Sequence, residues 1–177
     1  MASASKEKGK RFEREIAKYL TELFNIGDFV RTHSSGAFTG GSNAHRKDTL
    51  TEGQTRVFLG DIIAPDSIRL VVECKNHAEF ASGFHGILAG ENKKLNGWIT
   101  EVYNDSNHGT TPYLLVFKIT GTRTAFWCLP DSHFSTLPYH NHPHAKYTHP
   151  DTQERYTLIA SHVFETLKDQ FLERVRC

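Results

Sequence analysis

Asp61, Glu73 and Lys75 are the residues of this 177-residue chain whose types and spacing best support chemistry. Glu73 and Lys75 are two positions apart, and in a β-strand such positions share a face, so a carboxylate and an ammonium stand side by side. Leu70-Val71-Val72 precedes them, so the charged pair continues a core strand, where charges are costly unless paired or bound to a metal. The turn at Ala64-Pro65-Asp66-Ser67 folds the chain back and brings Asp61 into the same neighbourhood. Two close acids with a Lys suit a hard divalent cation such as Mg²⁺, whose retained waters can attack a phosphodiester. The alternative is an Asp at a turn beside an i, i+2 ion pair on a sheet surface.

A third acid comes from the N-terminal segment. Phe12, Ile16, Leu20, Leu23 and Phe24 recur at helical spacing from about Lys10 to Asn25, with Gly27 as a stop. Glu15 and Glu22 fall on the polar side, whereas Glu13 precedes Ala17 by four and Leu20 by seven and sits at the edge of the apolar stripe. Glu13 is either a third metal-site carboxylate or a boundary acid reaching for solvent.

The elements that must position these groups alternate. After the first helix comes a short β-prone stretch, Phe29 to Thr32, then a Gly- and Ser-rich loop from Ser34 that continues to about Gln54. Thr55 to Ile63 and Ile68 to Lys75 read as the two strands of a hairpin. Phe84, Ile87, Leu88, Leu95, Trp98, Ile99 and Val102 follow the helical period, and Pro112 to Ile119 and Thr124 to Leu129 read as strands. The order is αβββαββ. Residues 130–150, rich in Pro and His, read as irregular, and Leu158, Ile159, Val163, Leu167, Phe171 and Val175 predict a last amphipathic helix.

Composition bounds the function. Hydrophobic residues make up 38%, enough for an ordinary core, and no stretch approaches the roughly 20 apolar residues of a membrane span. A soluble, cytoplasmic protein is expected. Cys74, Cys128 and Cys177 form no CxxC pair, so neither a disulfide framework nor a thiolate zinc site is indicated. A net charge of +1 is not the footprint of a nucleic-acid binder, but residues 6–18 carry six basic side chains against three acids, so a basic face can hide in the total.

The ordered set Lys8-Gly9-x-x-x-Glu13-Arg14-Glu15, Arg31, Ser34-Ser35-Gly36, Asp61 and Glu73-Cys74-Lys75 resembles the archaeal-type, also phage-encoded, Holliday junction resolvases of the PD-(D/E)xK nuclease superfamily, over about residues 8–129. The resemblance implies an α/β restriction-endonuclease-like fold, a mixed sheet flanked by helices, and the length of 177 residues fits one unit, a single nuclease domain over residues 1–177. The resemblance also implies that Glu13, Asp61 and Glu73 hold Mg²⁺, with Mn²⁺ as a substitute, and that Lys75 orients the attacking water or stabilises charge. Ser34 or Ser35 would lie close to the scissile phosphate, with Ser35 taking part in catalysis. Lys8, Lys10, Arg11, Arg14, Arg31 and Ser34 are the expected DNA contacts, with Arg46 and Lys47 of the inserted loop. The implied reaction is endonucleolytic cleavage of four-way or branched DNA by a homodimer, whose twofold axis pairs two sites with two strands. If the chain is phage-encoded, the location is the host cytoplasm. The alternatives are a restriction or repair nuclease acting on duplex, and a non-catalytic nucleic-acid-binding module of the same fold.

This chain departs from the family pattern in three places. Gly60 stands where the superfamily's name has proline, 24 residues separate Gly36 from Asp61, and residues 130–177 have no counterpart in the minimal resolvases. The inserted loop, about residues 37–54, either contacts phosphates and closes over substrate or is a disordered excursion. His133, His140, His142, His144 and His149 read as exposed loop histidines, with a zinc site as the alternative. Gly36-x-x-x-Gly40-Gly41 lacks the Lys-Ser/Thr of a phosphate loop.

Overall fold

The first helix, α1 (Ala4–Phe24), begins six residues before the expected start and buries Phe12, Ile16, Ala17, Leu20 and Phe24 along one stripe. It ends where Asn25 turns left-handed at φ 49° and its amide bonds Thr21 O. This computed structural model describes residues 4–32, 59–78, 86 and 91–177. The strands that follow are β1 (Val30–Arg31), β2 (Ile62–Ile63) and β3 (Val71–His77). Helix α2 (Lys93–Asp105) is capped by Asn92, whose side chain accepts from Leu95 N at 3.0 Å. Then come β4 (Tyr113–Ile119), β5 (Phe126–Pro130), the short helix α3 (Asp131–Phe134), β6 (His144–Thr148), β7 (Arg155–Ala160), α4 (Ser161–Thr166) and α5 (Lys168–Val175).

Among the described residues the strands form one mixed sheet in the order β1-β2-β3-β4-β5-β7-β6. Only β3 and β4 are parallel, and α2 belongs to the crossover that a parallel pair requires. The sheet separates two cores. On one face Val72, Cys74, Leu114 and Val116 meet α1, α4 and α5; on the other Val71, Tyr113, Leu115 and Phe117 meet α2 and Tyr147 of β6. The α/β restriction-endonuclease-like architecture is therefore present, helices covering both faces. No helix among the described residues is long and apolar enough to cross a membrane.

The C-terminal third differs from its expected form. Residues 130–150 are not irregular: they hold α3, a 3₁₀ turn at Tyr139–Asn141 and the edge strand β6. The expected helix from Leu158 starts at Ser161, because Tyr156, Thr157, Leu158 and Ile159 are consecutively buried in β7, apolar or β-branched on both faces. Of the strand expected over 55–63, only Ile62–Ile63 is a strand within the described residues, and 55–58 lie outside them.

Candidate active site

Strand β2 is short, and beyond its pairing of Ile62 with Val72 no strand among the described residues continues along that edge of β3 at Glu73 and Lys75. Asp61 is moored beside that edge. Its amide donates to Val72 O at 2.8 Å, its carbonyl accepts from Thr32 N at 2.8 Å, and its Oδ2 accepts from Cys74 N at 2.9 Å. The approach depends on Gly60, which has φ +65°; a Cβ there would stand 2.5 Å from Val72 O. Proline, locked near φ −65°, cannot take that conformation, so the missing proline has a geometric reason.

Glu13 reaches the same place from α1, with 14% of its side chain exposed, and accepts from Arg31 Nε at 2.5 Å. Glu73, 5% exposed, accepts from Lys75 Nζ at 2.6 Å. Lys75 donates equally to Glu101 Oε2 of α2, again at 2.6 Å. Asp105, one turn beyond Glu101, completes a cavity of about 190 Å³ lined by Glu13, Asp61, Glu73, Cys74, Lys75, Glu101 and Asp105.

The electrostatics are those of crowded acids. Burial and then the Asp61 charge hold the Glu73 carboxyl well above its usual value, outweighing the pull of Lys75. Burial and Asp61 likewise raise Glu13, although Arg31 and Lys75 oppose them. Burial draws Lys75 down, but Glu73 and Glu101 more than offset it, so its ammonium stays charged. Burial and the three acids around it push the Cys74 thiol up, so it stays neutral at physiological pH.

Glu13, Asp61, Glu73 and Lys75 therefore line one cavity. Arg31, an expected DNA contact, pairs with Glu13. Arg11 and Arg14 pair with Glu15 and Glu7 on the exposed side of α1, and Lys8 bonds Thr120 Oγ1. Lys10 is half-buried on the same helix. Ser34, Ser35, Arg46 and Lys47, with the inserted loop, lie outside the described residues. The sequence reading missed Glu101 and Asp105. Their sign was available: like charges at i, i+4 weaken a helix and need a reason. Among the histidines, His149 corrects the expectation of exposure. It is 1% exposed, bonding Thr100 Oγ1 and Asn96 O of α2 through Nε2.

A family model described as "Phage putative PDDEXK endonuclease" matches residues 4–174. The chain belongs to that family. The match covers the C-terminal strands and helices as well as the acidic cavity, so residues 130–174 are part of the family's own unit rather than an appendage. No curated protein and no solved structure matches the chain. Membership supports nuclease activity with DNA as substrate, and PDDEXK nucleases generally use a divalent metal.

Proposed function

We propose that residues 1–177 act as a single nuclease domain, a divalent-metal-dependent DNA endonuclease working in the host cytoplasm, with Mg²⁺ as the ion and Mn²⁺ as a substitute. One observation carries the reading: carboxylates from three elements, Glu13, Asp61 and Glu73, line one cavity with Lys75, where burial and then the charge of Asp61 raise the proton affinity of Glu13 and Glu73. Among the described residues no three Asp, Glu, His or Cys side chains form a ready-made cage. The donor set nevertheless fits a hard cation, which takes one or two carboxylates and keeps several waters.

Asp61, Glu73 and Glu13 hold the ion in this reading. When bound, the ion offsets negative charge on the phosphate and activates water for attack. Asp61 is pre-oriented by its bond from the Cys74 amide and by the Gly60 turn. Lys75 stays protonated between Glu73 and Glu101, so it donates to the phosphate or the attacking water and does not serve as a base. Arg31 balances Glu13 and leaves it less eager for a proton.

The substrate we propose is four-way or otherwise branched DNA, cut by a homodimer whose twofold axis supplies two sites for two strands. The ordered motif set supports that choice over linear duplex. Labelled junction, flap, duplex and single strand, each incubated with Mg²⁺, Mn²⁺ or EDTA, test it. Paired, near-symmetric incisions on the junction by a dimer are expected. Cutting of linear duplex by a monomer would replace the junction reading with a restriction-type one.

A further inference from the structure

On the α1 face of the sheet, the apolar rows of β3 and β4 give way at their ends to a polar pair. Val72 and Cys74 are followed by Asn76, and Leu114 and Val116 by Lys118; Asn76 and Lys118 are register partners. Where the core stops, a second cleft of about 240 Å³ opens, with Lys8 and Arg11 of α1 on one side and the turn at Thr120-Gly121-Thr122 on the other. Lys8 bonds Thr120 Oγ1 across it, and Thr120 Oγ1 donates to His77 O, so the turn is tied to both α1 and β3. Glu15 is the single acid of the lining and is taken by Arg11 at 3.0 Å.

Two groups in this cleft have no partner among the described residues. Lys118 makes no ion pair or side-chain hydrogen bond among the described residues, and Asn76 Oδ1 is buried with no bonding partner. Three cations against one acid give the cleft a positive balance, in contrast with the acidic cavity nearby. The two are neighbours along the chain: Asn76 follows Lys75, and Lys8 lies five residues before Glu13, about 7.5 Å along the helix.

We propose that this cleft is a phosphate subsite: Lys118, Lys8 and Arg11 hold a backbone phosphate of the DNA strand that runs on from the acidic cavity. The proposal rests on the nuclease reading for the identity of the strand. The acidic cavity repels phosphates until a cation is present, so the strand needs an anchor of opposite sign close by, and Lys118 is the cation not already committed. Each phosphate neutralised by such a group contributes to the salt dependence of binding.

The test is binding of a labelled duplex in EDTA across a salt series, which needs no cleavage. Lys118→Ala is expected to weaken binding several-fold at low salt and to lower the slope of log affinity against log salt by roughly 0.9, with Lys118→Arg restoring it. Lys8→Ala, in the second turn of α1, should act the same way without altering a residue of the sheet. Lys18→Ala, on the same helix but outside the cleft, should leave the slope unchanged. A wild-type slope in folded Lys118→Ala and in Lys8→Ala overturns the subsite, as does an equal loss in Lys18→Ala. Inorganic phosphate that binds wild type but not Lys118→Ala, with no change in the DNA slope, also overturns it and makes the cleft a site for free phosphate. Failure here with junction cleavage intact leaves the nuclease standing; the lowered slope without any cleavage leaves the phosphate contact and removes the nuclease.

Discussion

Two constellations that join buried carboxylates to a lysine occupy opposite ends of the sheet, and they are built to different ends. Asp131, at the far end of β5, accepts both Oδ bonds from Lys146 at 3.0 Å and one from Thr157 at 2.8 Å, with Arg155 at 3.8 Å. One acid there meets two cations and a hydroxyl. In the acidic cavity the ratio is reversed: Glu13, Asp61, Glu73, Glu101 and Asp105 surround Lys75, with Arg31 on Glu13. A saturated carboxylate fixes a fold, while an unsaturated group of carboxylates is stable only with a cation beside it. The far constellation is a brace, and the near one is a receptor.

Replacing an acid at each end breaks that comparison most sharply. Asp61→Asn and Glu73→Gln should lower metal-dependent cleavage by at least about a hundredfold while leaving the protein folded and able to bind DNA, since amides keep shape but lose the anionic oxygens. Glu13→Gln should fall well below Glu15→Gln, whose carboxylate only pairs with Arg11. Asp131→Asn should do the opposite, costing about 1–3 kcal/mol in denaturant unfolding with a rate within about threefold of wild type. Cleavage by Asp61→Asn within tenfold of wild type would remove the receptor reading.

A second break targets the backbone that presents Asp61. Gly60→Ala forces a side chain into a left-handed conformation and against Val72 O, a strain of about 1–3 kcal/mol. The strain is relieved only by moving Asp61, so cleavage should drop about tenfold or more. Asp131→Asn, at similar stability, should keep its rate. Equal rates in the two variants would show that the position of Asp61 is not what matters.

How legible this was in the sequence differs between the same two ends. Glu73-x-Lys75 after an apolar run, with Asp61 across a Pro-containing turn, could be seen because a strand's alternation has period two and needs no tertiary knowledge. The pairing of Arg31 with Glu13 could not, since it joins residues eighteen apart through the packing of α1 on β1. At the far end, Leu158 and Ile159 match a helical stripe that continues into Val163 and Phe171, and only their burial on both faces of the sheet decides for strand. His149 likewise lies in a polar, Pro-rich setting that reads as exposed loop. Its burial comes from docking on α2, which no local pattern announces.

The two ends should also differ in their response to pH. Burial and Asp61 raise the Glu73 carboxyl above the 4.5 of the unfolded chain, so the folded state holds that proton more tightly. The stability this gives is complete below 4.5 and is lost as pH rises through the higher folded value. In EDTA, Tm should therefore fall between mild acid and neutrality, by about 2–4 °C for each kcal/mol lost. Asp61→Asn should flatten that fall, and Mg²⁺ should restore Tm at neutral pH in wild type by binding only the folded state. Parallel Tm curves for wild type and Asp61→Asn in EDTA would mean that the acids do not feel one another.

The smallest expected effect sharpens the boundary between the two ends, because the C-terminal hairpin touches both. Tyr147 of β6 donates its hydroxyl to Asn96 Oδ1 and His149 bonds Asn96 O and Thr100 Oγ1, so the hairpin grips α2 directly before Glu101. On the same hairpin, Thr157 of β7 serves only the brace, donating to Asp131 and accepting from Lys146. Tyr147→Phe and Thr157→Val each remove one hydroxyl and should each cost about 0.5–1.5 kcal/mol by denaturant unfolding. Their rates should nevertheless separate. Loosening α2 shifts Glu101 and, through the 2.6 Å bond, Lys75, so Tyr147→Phe should slow cleavage about two- to threefold; Thr157→Val should leave it unchanged. Single-turnover cleavage at saturating Mg²⁺ separates the cases. A rate loss shared equally by both variants would trace to stability alone and detach the hairpin from the site.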